Sequence, residues 1–132
     1  MTALYESRDL AASASEKLKV YAQPQRLMIL SCLLRSERNV AEIGEATGIG
    51  QPALSQQLGE LRRAGLVGTR KKAKQVWYTL ADEAVWLCVQ TMEMIFSGDG
   101  DLEVVRSNAT KLMGKVPAKP LSPGAASFAQ IL

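Results

Sequence analysis

The 132-residue chain contains no histidine. Serine–histidine and cysteine–histidine catalysis are therefore excluded, as is every metal site that needs imidazole. Only two cysteines are present, Cys32 and Cys88. They cannot supply the four nitrogen or sulfur ligands of a structural zinc site. They also lie too far apart in sequence for a CxxC redox centre. Long hydrophobic runs are missing: the longest, residues 27–34, is interrupted by Ser31 and is too short to cross a bilayer. The opening MTALYESRDL holds no apolar signal segment. There is no P-loop and no nucleophile elbow, so nothing supports an enzyme. The expectation is a cytoplasmic protein with reduced thiols, no membrane segment, no metal and no cofactor.

Apolar residues make up 47% of the chain, and its length suits one domain. The net charge is only +3, but it is unevenly spread. From Arg62 to Lys74 there are six basic side chains and no acidic one; the other 119 residues carry ten basic and thirteen acidic. A solvated basic loop and a phosphate-binding surface both fit that concentration of charge.

Helical spacing of Leu10, Ala14, Leu18 and Tyr21 predicts a helix over 8–22. Pro24 suits the first turn of a second helix, 24–35, which is apolar nearly all round and is expected to be covered by its neighbours. A polar break at 36–39 precedes a short third helix, about 40–47, and the glycines at 48 and 50 make a tight turn. A fourth helix is expected over 51–64, with Pro52 near its first position and Gly65 as its stop. The period then changes to that of two short strands, 66–71 and 75–80, with Lys72, Ala73 and Lys74 at the hairpin tip. Asp82 and Glu83 open a long helix to Phe96 with the stripe Val85, Cys88, Val89, Met92, Ile95 and Phe96. A further helical stretch from Leu102 ends at Gly114, so the domain is expected to span 1–114, with a loose tail over 115–132. The fold class is mainly α with a two-stranded β-hairpin, in the order of a winged helix-turn-helix.

The fourth helix carries the functional signal. At 100° per residue, Leu54, Leu58 and Leu61 fall at about 300°, 340° and 280°, one narrow inward face. Pro52, Gln56, Gly59 and Arg63 fall at about 100°, 140°, 80° and 120°, on the opposite side, with Ser55 and Arg62 on the flank. Amides, a hydroxyl, a glycine and guanidinium groups suit a major groove, where Gln pairs with adenine and Arg with guanine or phosphate. The DNA-binding candidates are therefore Gln51, Ser55, Gln56, Arg62 and Arg63 on the helix, with Arg70, Lys71, Lys72, Lys74 and Gln75 on the hairpin. Such a hairpin can follow the backbone or enter the minor groove, fixing register without reading much sequence. A protein-docking winged helix is the competing class, but it should expose an apolar patch on the fourth helix or hairpin.

Three segments carry a family resemblance. They are residues 23–30 (QPQRLMIL), residues 51–58 (QPALSQQL) with Leu61-Arg62 and Gly65-Leu66-Val67, and residues 76–80 (VWYTL). Together they resemble the arsenic-repressor (ArsR/SmtB) family over about residues 10–97. The resemblance implies a homodimeric repressor whose first and last helices form the dimer, bound to double-stranded DNA at an operator and released by an inducer. Dimer symmetry then implies an inverted repeat. Two departures are visible: Gln23-Pro24 where the family often has His-Pro, and Ser55-Gln56-Gln57 where it often has Ser-Gln-His.

The family's metal sites use cysteines around the third helix or Asp, Glu and His on the last; this third helix has no cysteine and the chain no histidine. The sulfide- and persulfide-responsive SqrR/BigR type, with the related HlyU-type regulators, looks closer. Its two sensor cysteines correspond to Ser31 in Arg26-Leu27-Met28-Ile29-Leu30-Ser31 and Ser97 in Ile95-Phe96-Ser97. Serine is nearly isosteric with cysteine but forms neither persulfide nor disulfide. The resemblance thus implies reactive sulfur species as the class of inducer, with the dithiol switch disabled by design or by descent. The alternatives are another inducer or a thiol switch built from Cys32 and Cys88.

Overall fold

The computed structural model describes residues 1–97 and 106–107. A turn of 3-10 helix at Leu4–Glu6 leads into α1 (Arg8–Tyr21), α2 (Pro24–Arg35), β1 (Arg38–Asn39), α3 (Val40–Thr47), α4 (Ala53–Arg63), β2 (Val67–Lys72), β3 (Gln75–Leu80) and α5 (Glu83–Phe96). The expected helices and hairpin strands follow in the expected order; α2, α3, β3 and α5 keep their expected bounds, and α1, α4 and β2 are shifted at their ends by one or two residues. The helical stretch expected from Leu102 to Gly114 lies outside the described residues except for 106 and 107, which are helical, and the tail over 115–132 lies wholly outside them.

Local chemistry sets the helix starts. Ser7 Oγ accepts from the Leu10 amide at 3.1 Å and opens α1. Asn39 and Glu42 form a reciprocal capping box on α3, at 2.9 and 3.1 Å. Asp82 accepts from the Val85 amide at 2.9 Å and opens α5. The start of α4 differs from expectation. Pro52 stands at the cap, outside the helix. Gln51 reaches over it, and its side-chain oxygen accepts from the Ser55 amide at 3.1 Å. The residue before a proline is disfavoured in helical geometry, so Gln51 contributes a side-chain cap instead of a helical backbone.

The end of α4 sets the course of the hairpin. Gly65 takes φ of 77°. Its amide donates to Arg62 O at 3.1 Å, and the Leu66 amide donates to Leu61 O at 3.0 Å. This Schellman pair turns the chain sharply and buries Leu66, so the strand begins at Val67, one residue later than expected.

The sheet is a correction to the expected two-stranded hairpin. It has three antiparallel strands in the order β1-β3-β2. The added strand pairs Arg38 with Tyr78 and Asn39 with Trp77. Two residues are too few to display an alternating pattern, so their sequence reads only as a polar break. In the hairpin Lys72 pairs with Gln75, closing a two-residue turn in which Ala73 and Lys74 both have positive φ.

The core joins Ile29, Leu30 and Leu33 of α2, Ile43 of α3, Leu54, Leu58 and Leu61 of α4, Leu66 and Val67 after it, and Val85 and Val89 of α5. Gly44 lets α3 approach α4: a Cβ there would stand 3.3 Å from Leu54 Cδ2. One expectation fails: α2 is not covered all round, because Leu27 and Met28 remain exposed. No helix among the described residues is long and apolar enough to cross a membrane.

Substituting Gly65→Ala should cost about 1–2 kcal/mol in denaturant unfolding, the penalty of forcing a side chain into left-handed backbone. Nothing lies within 4 Å of the added Cβ, so no clash contributes. Gly50→Ala, also in open space but without positive φ, is the matched control and should be nearly neutral.

Candidate nucleic-acid interface and the groove between α2 and α5

Burial of the leucine face decides which residues α4 turns outward. Leu54, Leu58 and Leu61 are each at most 2% exposed. Gln56 and Arg63 are exposed, as the angular reading requires, and Gln51, Ser55 and Arg62 are exposed as well. A polar network locks α4 against the start of α2. Arg26 Nε donates to Gln57 Oε1 at 2.8 Å, and Gln57 Nε2 donates to Gln25 Oε1 at 3.2 Å. Gln57 therefore points back toward α2, and its neighbour Gln56 is the outward amide.

The outward residues differ in how freely they can reach DNA. The Ser55 hydroxyl donates to Gln51 Oε1 at 2.8 Å, so these two act as one unit. Arg63 is paired with Glu60 at 2.5 Å, and its guanidinium folds back over Gly59, filling the space that the glycine leaves. Gln75 accepts from Asn39 Nδ2 at 3.0 Å. Arg70 is held by Glu37 through two bonds, at 2.6 and 2.5 Å. That contact keeps the Glu37 carboxyl below its usual range. Lys71, Lys72 and Lys74 at the hairpin end, with Arg62 on α4, are exposed and form no ion pair among the described residues. Glu37 carried no sequence signal, because it lies thirty-three positions from Arg70 and only the sheet brings them together.

Between α2 and α5, Ser31 and Ser97 line one groove of about 360 Å³ with Leu27, Met28, Val89, Met92, Glu93 and Phe96. Their approach is a product of the fold, since Ser31 is on α2 and Ser97 caps the end of α5. The Ser31 hydroxyl donates to Glu93. Arg35 grips the same carboxylate through both nitrogens, at 2.9 and 2.6 Å, and also donates to the Ser31 carbonyl at 2.9 Å. Arg35 and, more weakly, the Ser31 hydroxyl hold the Glu93 carboxyl below its usual range against the opposing effect of burial. Sequence reasoning missed Glu93. A signal was present: it lies one helical turn before Ser97, on the same face.

The two cysteines occupy different surroundings, and both are free thiols. Burial pushes the Cys32 thiol up, offset in part by Arg38 and then by Arg35. Arg38, which bonds the Cys32 carbonyl at 3.2 Å, is thus a second cation beside Cys32 that sequence proximity to Arg35 did not reveal. Cys88 lies against Tyr21, whose phenol is raised first by burial and then by that thiol. No group of three or more potential ligands that could hold a metal occurs among the described residues.

A helix-turn-helix whose second helix turns amides, a hydroxyl and guanidinium groups outward, followed at once by a lysine-tipped hairpin, defines a winged-helix regulator. Residues 23–69 match the bacterial regulatory protein, arsR family. A biofilm growth-associated repressor from Xylella fastidiosa is 41% identical over 86 residues, covering 65% of this chain and 75% of the relative. The crystal structure of the Xylella fastidiosa repressor BigR superposes with a TM-score of 0.65 at 37% identity, over 72% of this chain and 97% of that one. The transcriptional activator HlyU of Vibrio cholerae is 40% identical over 93 residues, 70% of this chain and 86% of the relative. A homodimeric winged helix-turn-helix DNA-binding domain from Mycobacterium bovis superposes with a TM-score of 0.58 at 29% identity, over 67% and 86% of the two chains. The chain belongs to the arsR family of bacterial regulatory proteins. It is a DNA-binding transcriptional regulator and not an enzyme.

The Arg35–Glu93 contact gives a pH dependence whose sign is fixed. Glu93 is depressed from its ordinary value of 4.5. Its contribution to stability is therefore complete above that value and is lost as pH falls through the lower folded-state value. Thermal melts from about pH 6 down to about pH 3 should show Glu93→Gln losing less stability on acidification than the parent. Parallel curves would show that the contact adds nothing to folding.

Proposed function

We propose that the protein is a dimeric repressor that binds an inverted-repeat operator through α4 and the β2–β3 wing, and that it descends from the sulfide- and persulfide-sensing type with its dithiol switch absent. The observation that carries the second half is the shared groove: the two positions where that type would hold sensor cysteines, Ser31 and Ser97, line one cavity although they are far apart in sequence. With hydroxyls there, no disulfide or persulfide can form.

Dimerisation is supported by apolar surface that a single chain leaves bare. Leu10 and Leu18 on α1, and Trp86, Ile95 and Phe96 on α5, are all exposed, Phe96 at 82%. An apolar stripe of that extent on two helices calls for a partner surface. Two-fold pairing places two copies of α4 about one DNA turn apart, which is the geometry of an inverted repeat. The bases are read by Gln51, Ser55 and Gln56. Arg62, Arg63, Lys71, Lys72 and Lys74 serve the phosphates, with Arg70 and Gln75 placed beside them on the wing. A thiol switch made from Cys32 and Cys88 finds little support: the Cys32 thiol is raised, and a raised thiol holds less of the reactive thiolate.

Two experiments test this reading. Gln56→Ala should cost about 1–3 kcal/mol on the operator and far less on random DNA, whereas Lys72→Ala should weaken both alike. Equal losses on the two DNAs for Gln56→Ala would refute base reading by α4. Restoring both thiols, Ser31→Cys with Ser97→Cys, should create a protein that a persulfide donor releases from DNA; failure of the double variant to respond would refute the sensor assignment of the groove.

A further inference from the structure

The wing carries one cation that behaves unlike its neighbours. Strand order β1-β3-β2 places β1 and β2 on opposite edges of the sheet. Arg70 on β2 lies across from Trp77, and Trp77 in turn lies across from Asn39 on β1. Glu37 immediately precedes β1. The Arg70 side chain is therefore extended laterally, over the central strand at Trp77, to a carboxylate beside the far edge. Two adjacent strand spacings make that span about 10 Å, which consumes the length of an arginine. The register also sets Arg70 two pairs back from the closing pair Lys72–Gln75, about 7 Å from the tip.

We propose that Glu37 is a positioning residue for the wing: it withholds Arg70 from the DNA backbone, so that each wing meets phosphate with Lys71, Lys72 and Lys74. This rests on the reading of α4 and the wing as the DNA interface. The pair is exposed, with side chains 55% and 26% accessible, so by itself it adds little to stability. Its effect appears on DNA. Transferring Arg70 to a phosphate would leave the Glu37 carboxylate unpaired beside a polyanion, and that repulsion opposes the exchange. The fork geometry reinforces it, because a guanidinium satisfied by both carboxylate oxygens has to give up two charge-assisted bonds at once. The pair thereby removes one sequence-independent contact per protomer, and the share of affinity that depends on α4 rises.

The test needs no operator. The full chain and its variants are titrated by fluorescence anisotropy against a random-sequence duplex between about 50 and 200 mM salt, where each phosphate contact contributes about 0.9 to the slope of log K against log salt. Arg70→Ala should keep the parent slope. Lys72→Ala should lose about 0.9 per protomer. Glu37→Gln should gain about the same amount, so that its binding constant changes about 3.5-fold more per protomer than the parent's across that range. The double variant Glu37→Gln with Arg70→Ala should return to the parent slope. Arg70→Gln gives the same reading should Arg70→Ala lose its native melting transition. A slope that falls as much for Arg70→Ala as for Lys72→Ala, or one that Glu37→Gln leaves unchanged, overturns the proposal while the DNA interface stands. A parent slope near zero, with Lys72→Ala silent, overturns the interface and the proposal together.

Discussion

Burial of one face of α4 is the constraint on which the rest depends. Leu54, Leu58 and Leu61 pack into a core shared with α2, α3 and α5. Removing a buried leucine typically costs about 2–5 kcal/mol, against a total domain stability of about 5–15. The helix therefore cannot roll about its axis to present another face. The outward residues of the helix are fixed by exclusion, and Ser55, Gln56 and the two arginines take their places from where the leucines go. The Schellman turn at Gly65 extends the same constraint, because burying Leu66 next to Leu61 sets the angle at which the wing leaves the helix.

A second, polar constraint acts between α2 and α5. Arg35 and Ser31 on α2 converge on Glu93 of α5 and tie the two helices across an otherwise apolar groove. In a chain with a thiol at position 31, the same place would couple sulfur chemistry to the α2–α5 packing. A hydroxyl there makes a fixed hydrogen bond instead. The two regions thus differ in kind: a helix held by leucines and presenting polar groups, and a groove lined by apolar side chains whose one carboxylate is already satisfied.

Much of this was legible in the sequence because it depends on periodicity and local chemistry. The leucine spacing of α4, the acids that open α5 at Asp82 and Glu83, and the alternation of Val76, Tyr78 and Leu80 are all local signals. What was not legible depends on contacts made by the fold. Arg38 and Asn39 form a strand only because β3 lies beside them. The exposure of Leu27 and Met28 depends on what packs on α2, which composition cannot show. The basic run read as uniform charge from Arg62 to Lys74. The structure divides it into cations paired with Glu60 or Glu37 and cations that are not.

The proposal at the centre is a DNA-binding regulator that lacks the dithiol switch of the sulfide- and persulfide-sensing type. Fluorescence anisotropy of the unmodified chain on an inverted-repeat fragment from upstream of its own gene, with and without a persulfide donor and free of reductant, tests it most directly. The account predicts tight binding that the donor leaves unchanged. Release by the donor would place a working thiol sensor at Cys32 or Cys88 and contradict the assignment of Ser31 and Ser97; absence of binding would contradict the interface itself.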